Sequence, residues 1–341
     1  MRSPLLALCL GCASCALERL EVQPSATATP DSGALCSTPG CLLYATSSNA
    51  SLAYVVDTKS AEVIAKVPVS AAPRAVVCHP SGAKVYVASY GAAQIDVLDV
   101  KTRSVTRSVP VGDKPLALAL SPDGSRLFVA SSEAESLSVL DTTTDAVLST
   151  VPLAGRPRAL AASPDGSELW VGDGCGQDCA RALVLPGLKK WTDVVSVGGR
   201  SLAFAPDGAA LYAADTIGCD GRYQKLEPSS HSVAKQLLED GKGRALSVAV
   251  SHDGARAFFG KGSCWDALNL YVTSTADDSV VATLMIPDAA HALAVSPDDA
   301  TLYVARSDAT SAYVTFVNLS QLSITANIPI GGGEIALALS P

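Results

Sequence analysis

Arg74, Arg158, Arg200 and His291 stand at one phase of this sequence, each five residues before a copy of the short motif Ser-Pro-Asp-Gly or a variant of it. Leu116, Leu246 and Ile335 fill the same phase in the remaining copies. A guanidinium is a rigid fork of donors suited to carboxylate or phosphate, so arginines gathered at one structural position could bind an anion or polarise a carbonyl. Alternatively, each arginine pairs with an acidic neighbour or reaches solvent.

A second phase lies ten residues after each motif start. It carries Ser89, Ser131, Asp173, Asp215, Lys261 and Arg306, with Thr46 by extension. Acids in two successive copies and bases in the next two would charge one sector, either as an asymmetric polar pocket or as mutual neutralisation between neighbouring repeats.

Cysteine chemistry points to the same sector. Outside the first residues the chain has Cys36, Cys41, Cys78, Cys175, Cys179, Cys219 and Cys264. Spacing suggests disulfides from Cys36 to Cys41 and from Cys175 to Cys179. Cys219 and Cys264, in corresponding loops of adjacent repeats, could bridge those repeats, which leaves Cys78 as a buried thiol. Asp173 beside Cys175 and Cys179 is a poor metal site, because no His or second cysteine pair accompanies it. Haem attachment is not expected either, since Cys12 and Cys15 are followed by Ala16. With neither a Gly-rich phosphate loop nor a Gly-x-Ser-x-Gly elbow, no cofactor and no metal are expected.

The elements that must position these residues follow from the repeat. Motif copies begin at His79, Ser121, Ser163, Ala205, Ser251, Ser296 and Ser340, with separations of 42, 42, 42, 46, 45 and 44 residues. Each copy alternates short apolar, β-branched stretches with turn residues and shows no competing helical period, which predicts four strands per copy. A four-stranded antiparallel unit repeated at this spacing predicts an all-β fold, a β-propeller over residues 36–341. The chain ends in a first strand, Ile335 to Pro341, and the domain opens on a second strand, Leu42 to Thr46. The two complete one blade, which predicts seven blades in a ring closed by this composite and no exposed edge. Loops entering each first strand would then surround the central channel, with Arg74, Arg158, Arg200, His291, Asp173, Asp215, Lys261 and Arg306 at its mouth. His79 and His252 fall in the motif turns of the opposite face.

The second strands Val85-Tyr86-Val87-Ala88-Ser89, Leu127-Phe128-Val129-Ala130-Ser131 and Leu302-Tyr303-Val304-Ala305-Arg306 resemble the YVTN family of propellers. The likeness runs from about Leu42 to the end. It implies the fold, and it leaves function open among surface proteins, ligand binders and lactonase-like enzymes.

Residues 1–15 have one basic residue, Arg2, and an apolar run from Leu5 to Leu10 too short to span a bilayer, the layout of an export signal. Gly11-Cys12 and Ser14-Cys15 resemble a lipoprotein processing site, with Cys12 or Cys15 lipidated; Cys9 and Cys12 stand where that family prefers Leu. An ordinary signal peptide cleaved nearby is the alternative. Residues 16–35 read as a flexible linker. The expected location is periplasmic or cell-surface, with membrane contact through such an anchor alone.

With 48 % hydrophobic and 17 % charged residues the chain can bury a large core. A net charge of −8 argues against a general nucleic-acid binder. The expected function is a non-catalytic binding or interaction module, a monomer, whose partner is a small anion, a glycan or an envelope protein. A lactonase-like hydrolase is the alternative, with His291 the single channel-mouth candidate for a general base.

Overall fold

The computed structural model describes residues 41–153, 155–173, 179–184, 199–217, 220–238, 243–262, 269–308 and 311–340. It is an all-β propeller of antiparallel blades. In chain order the strands are β1 (Leu42–Ser47), β2 (Leu52–Asp57) and β3 (Glu62–Pro68); β4 (Pro73–Cys78), β5 (Lys84–Ser89), β6 (Gln94–Asp99) and β7 (Ser104–Pro110); β8 (Pro115–Leu120), β9 (Arg126–Ser131), β10 (Ser136–Asp141) and β11 (Ala146–Pro152); β12 (Pro157–Ala162), β13 (Glu168–Asp173) and β14 (Cys179–Val184). There follow β15 (Ser201–Phe204), β16 (Leu211–Ile217), β17 (Asp220–Glu227) and β18 (Ser232–Leu238); β19 (Arg244–Val250), β20 (Arg256–Gly262), β21 (Asn269–Ser274) and β22 (Val280–Met285); β23 (Ala289–Val295), β24 (Thr301–Ser307), β25 (Ala312–Asn318) and β26 (Ser323–Ile330); and β27 (Leu337–Leu339).

Six sheets have four strands, one of them in the order β27-β1-β2-β3, and the sheet β12-β13-β14 has three among the described residues. The expectation of seven four-stranded blades is therefore corrected to six complete ones. In the first sheet β27 pairs antiparallel with β1, Leu339 opposite Leu43 and Leu337 opposite Ala45.

Second strands are buried on both faces, which is why they read as unbroken apolar runs rather than alternating ones. Each carries an aromatic residue at its repeat-equivalent position: Tyr44, Tyr86, Phe128, Trp170, Tyr212, Phe258 and Tyr303 are all buried. Such residues supply the largest apolar area per side chain and set the thickness of the packing between sheets.

The motif turns are held by their own side chains. Ser121 Oγ donates to Asp123 Oδ1 over 2.6 Å, Asp123 Oδ1 accepts from the Ser125 amide over 2.9 Å, and Gly124 takes φ +72°, a region glycine enters without strain. His79 and His252 lie in these turns, His79 accepting from the Ser81 amide and His252 Nδ1 lying 3.1 Å from Asp299 Oδ1.

Candidate functional site

Five of the seven first strands begin with a register slip. Pairing shifts between Pro73 and Ala75, Pro115 and Ala117, Pro157 and Ala159, Ala245 and Ser247, and Ala290 and Ala292. The residues passed over are Arg74, Leu116, Arg158, Leu246 and His291. A bulge leaves one residue outside the ladder and re-aims its side chain. Arg200 and Ile335 stand just before β15 and β27 at the same phase. All seven line one cavity of about 370 Å³, together with Tyr90, Ser132, Glu133, Arg156, Ala292, Glu334 and Ala336. The repeat phase read from the sequence is thus one place in space.

A close approach of two backbones fixes Arg200. A Cβ built on Gly172, in β13, would fall 2.6 Å from Gly199 Cα, so the chain entering β15 lies directly on the neighbouring sheet. Glycine at both positions is what allows that contact.

The four guanidiniums of the cavity differ in their partners. Arg74 is ion-paired with Glu334 and lies 5.2 Å from the Tyr90 ring centroid; its Nε is buried without an acceptor among the described residues. Arg156 pairs with Glu133 at 3.1 Å. Arg158 is exposed, Arg200 is half-buried, and neither guanidinium has a hydrogen-bond or ion-pair partner among the described residues, the Arg200 amide donating to the Ala214 carbonyl. Burial holds the Arg200 guanidinium below its usual pKa, and the positive charges of Arg158 and Arg244 add to the effect. Burial first, and then the charges of Arg200 and Arg74, push His291 down to about 4. At neutral pH its imidazole is uncharged and offers one donor and one acceptor.

A second basic phase accompanies the first. Lys114, Arg156 and Arg244 each stand two residues before a cavity residue of the repeat phase, and Lys114 Nζ lies 4.8 Å from the Tyr90 ring centroid. These three bases recur at a fixed distance from the motif, so the repeat itself carries the signal for them.

The other proposed mouth residues are elsewhere. Asp215, Lys261 and Arg306 are buried at 6 %, 4 % and 6 % exposure and do not line the cavity, because second strands are covered on both faces. Arg306 Nε donates to Thr315 Oγ1 (2.6 Å) and Nη2 to Asn327 Oδ1 (3.1 Å); the guanidinium also pairs with Asp288 and stacks 4.4 Å from the Tyr313 centroid. The equivalent trio one blade on from the composite sheet is inverted in charge: Asp96 is 1 % exposed and accepts from Ser89 Oγ, Ser108 Oγ and the Ser70 amide. These are internal networks that satisfy polar groups between strands.

The Asp173 side chain lies outside the described residues, as do Cys12, Cys15, Cys36, Cys175, Cys219, Cys264 and the side chain of Cys179. Cys41 is buried, and its carbonyl accepts from Thr58 Oγ1 over 2.9 Å. Among the described residues no group of three His, Cys, Asp or Glu side chains is placed to hold a metal.

No protein-family profile matches the chain, and no curated protein sequence is significantly similar to it. Solved structures are similar in fold. A functionally unknown protein from Desulfotomaculum acetoxidans DSM 771 superposes with a TM-score of 0.73 at 12 % identity, over 87 % of this chain and 98 % of that one. Kuenenia stuttgartiensis hydrazine synthase gives 0.70 at 20 % identity over 79 % and 90 %, and the dihydro-heme d1 dehydrogenase NirN in complex with DHE gives 0.65 at 14 % over 86 % and 74 %. At these identities the likeness is one of fold: the chain is a β-propeller of four-stranded antiparallel blades, as its similarity to those two β-propeller proteins indicates.

Proposed function

We propose that the chain is an exported, non-catalytic binding propeller that holds a small anion in the cavity where its first strands begin. The observation that carries this reading is the pair Arg158 and Arg200, two guanidiniums without an acidic partner among the described residues, in a cavity lined by one residue in or just before each of seven strands. Leu116, Leu246 and Ile335 give that cavity an apolar wall, the usual composition of a small-molecule site.

The reading includes a closed ring of blades of the YVTN type. It is supported by the neighbour relations of the innermost strands: β4 lies against β8, β8 against β12, β12 against β15, β15 against β19, β19 against β23, β23 against β27, and β27 against β4. Export with a lipid anchor at Cys12 or Cys15 rests on the leader pattern alone.

Hydrolysis is the second reading, favoured by the uncharged His291 beside arginines that could polarise a carbonyl. It is weaker because Glu133 and Glu334, the carboxylates of the cavity, are both engaged by arginines. A base with a pKa of about 4 is also far from the optimum for general-base work at neutral pH.

A thermal-shift screen of carboxylates, phosphate, sugars and sugar lactones against the protein and its Arg158→Ala/Arg200→Ala variant tests both. Stabilisation by an anion that disappears in the variant supports the binding site. Turnover of a lactone that disappears with it supports the hydrolase. A shift with sugars alone, or with nothing, overturns the anion reading in favour of a glycan or a protein partner.

A further inference from the structure

We infer that the cavity selects a doubly charged anion, and that Glu334 sets this charge by occupying Arg74. The inference rests on the anion-binding reading above and goes beyond it by naming the ligand class.

Charge counting inside the cavity is the starting point. Among the described residues, Arg74, Arg156, Arg158 and Arg200 face Glu133 and Glu334, so four positive charges meet two negative ones. The two ion pairs present, Arg74 with Glu334 and Arg156 with Glu133, consume both carboxylates. The surplus is Arg158 and Arg200, whose like charges act on one another in a partly buried site. A monoanion would neutralise half of that surplus and leave the other guanidinium unpaired, at a cost that is greatest when it is the half-buried Arg200. A dianion with two carboxylates, or one phosphate, removes it entirely.

The surroundings agree with this size and charge. A cavity of about 370 Å³ accommodates a molecule of a few carbon atoms with two acidic groups. His291, uncharged, can donate one hydrogen bond without adding charge, and Arg74 Nε has a buried N–H to spare. Lys114, beside the Tyr90 ring, and Arg244, whose charge acts on Arg200, add basic charge near the cavity, while the whole chain carries −8. A basic funnel on an acidic protein focuses the field and draws anions toward that one place.

Glu334 is the selectivity element because it is the half-exposed partner of the pair, on the short connection between β26 and β27. Its neutralisation would release a third guanidinium and shift the preferred charge from two to three.

The test is isothermal titration of the purified protein at pH 7.5 and fixed low ionic strength with acetate, malonate and tricarballylate. Malonate is expected to bind about tenfold tighter than acetate, one charge-assisted pair being worth roughly that factor, and tricarballylate no tighter than malonate. Arg158→Ala should bring malonate down to the acetate level. Glu334→Gln should make tricarballylate the tightest of the three. Equal binding of acetate and malonate that both vanish in Arg158→Ala would overturn the dianion inference and leave the anion site standing. Tricarballylate preferred by the unsubstituted protein, or an unchanged order in Glu334→Gln, would overturn the role of Glu334. Absence of binding by all three would overturn the site itself.

Discussion

The amide of Ser340 donates to the carbonyl of Leu42 over 2.8 Å, joining the last described residue of the chain to the first strand of its propeller. The same seam includes Thr46 N–H to Ala336 C=O at 3.0 Å and Ser47 Oγ to Gly332 C=O at 2.8 Å. Ile335 is 4 % exposed and belongs to the hydrophobic cluster formed by Leu43, Tyr54 and Tyr303. Deleting residues 335–341 would expose this cluster and the edge of β1 together. Burial of one such side chain is worth about 1.5–3 kcal/mol, so the deletion should lower the denaturation midpoint strongly and promote self-association through the bared edge, read by chemical denaturation and light scattering. An unchanged midpoint would mean that β27 contributes nothing to stability.

The Arg306 guanidinium should matter for folding and not for binding. It is 7 % exposed as a side chain, and removing it leaves Asp288 without its counter-charge. Arg306→Ala is expected to cost about 3–5 kcal/mol, the range for breaking one partner of a buried pair. Arg306→Met with Asp288→Asn should recover most of that loss, since neither residue is then a stranded charge. Malonate affinity of the double variant should equal that of the parent protein, because the cavity lies elsewhere.

Acid sensitivity should come in two windows. Asp123 and Asp165 are held at about 2 by hydrogen bonds, first from Ser121 and Ser163 and then from Ser125 and Ser167, against 3.8 in the unfolded chain. A depressed carboxylate stabilises the fold above its unfolded pKa, and that contribution is lost as pH falls from about 4 through about 2. Ser121→Ala and Ser163→Ala together should flatten the stability profile in this window, measured by thermal denaturation from pH 5 to pH 2.

The higher window belongs to His291. Its folded pKa of about 4 lies below the unfolded 6.5, so the unfolded chain binds the extra proton first. Stability should therefore fall as pH drops from about 6.5 to about 4, and His291→Gln should remove that slope. The charges facing the imidazole are Arg200 and Arg74, with Glu334 and Glu133 in the same cavity. Arg200→Ala should raise the His291 pKa, as should bound malonate, both readable in the imidazole proton shifts by NMR. A pKa that does not move in Arg200→Ala would separate the two residues.

How far the sequence reached differs between the fold and the site. The strands were legible because Leu, Val and an aromatic residue recur at fixed distances from each Pro-Asp-Gly turn, and register follows from turn chemistry and burial. The phase of Arg74, Arg158, Arg200 and His291 was legible for the same reason. Their direction was not, since strict alternation says nothing of a bulge, and a bulge is what turns Arg74, Arg158 and His291 out of the ladder, while Arg200 stands just before its strand. Asp215, Lys261 and Arg306 stand at strand ends, where a charged residue suggests solvent. Burial on both faces puts them inside, where Arg306 shares its charge with Asp288 and Thr315. Lys114 and Arg244 went unnoticed because they lie outside the strand core, where a lone base is ordinarily a solvated side chain.

The Gly172–Gly199 contact should control the site without touching a ligand. A Cβ on Gly199 would meet the Gly172 carbonyl carbon at 3.0 Å, and neither backbone can yield without moving its sheet. Gly199→Ala is expected to cost about 1–3 kcal/mol, the range for overpacking a close contact, and to shift the chain that carries Arg200. Malonate binding should then weaken about tenfold or more while Arg158 and His291 remain in place, since the Arg200 donors no longer converge with them. The two effects are separable: stabilising osmolytes restore the lost stability but leave the geometry of Arg200 displaced. Recovery of full affinity on adding them would show that Gly199 serves stability alone, and continued weak binding would identify the contact as the element that aims Arg200.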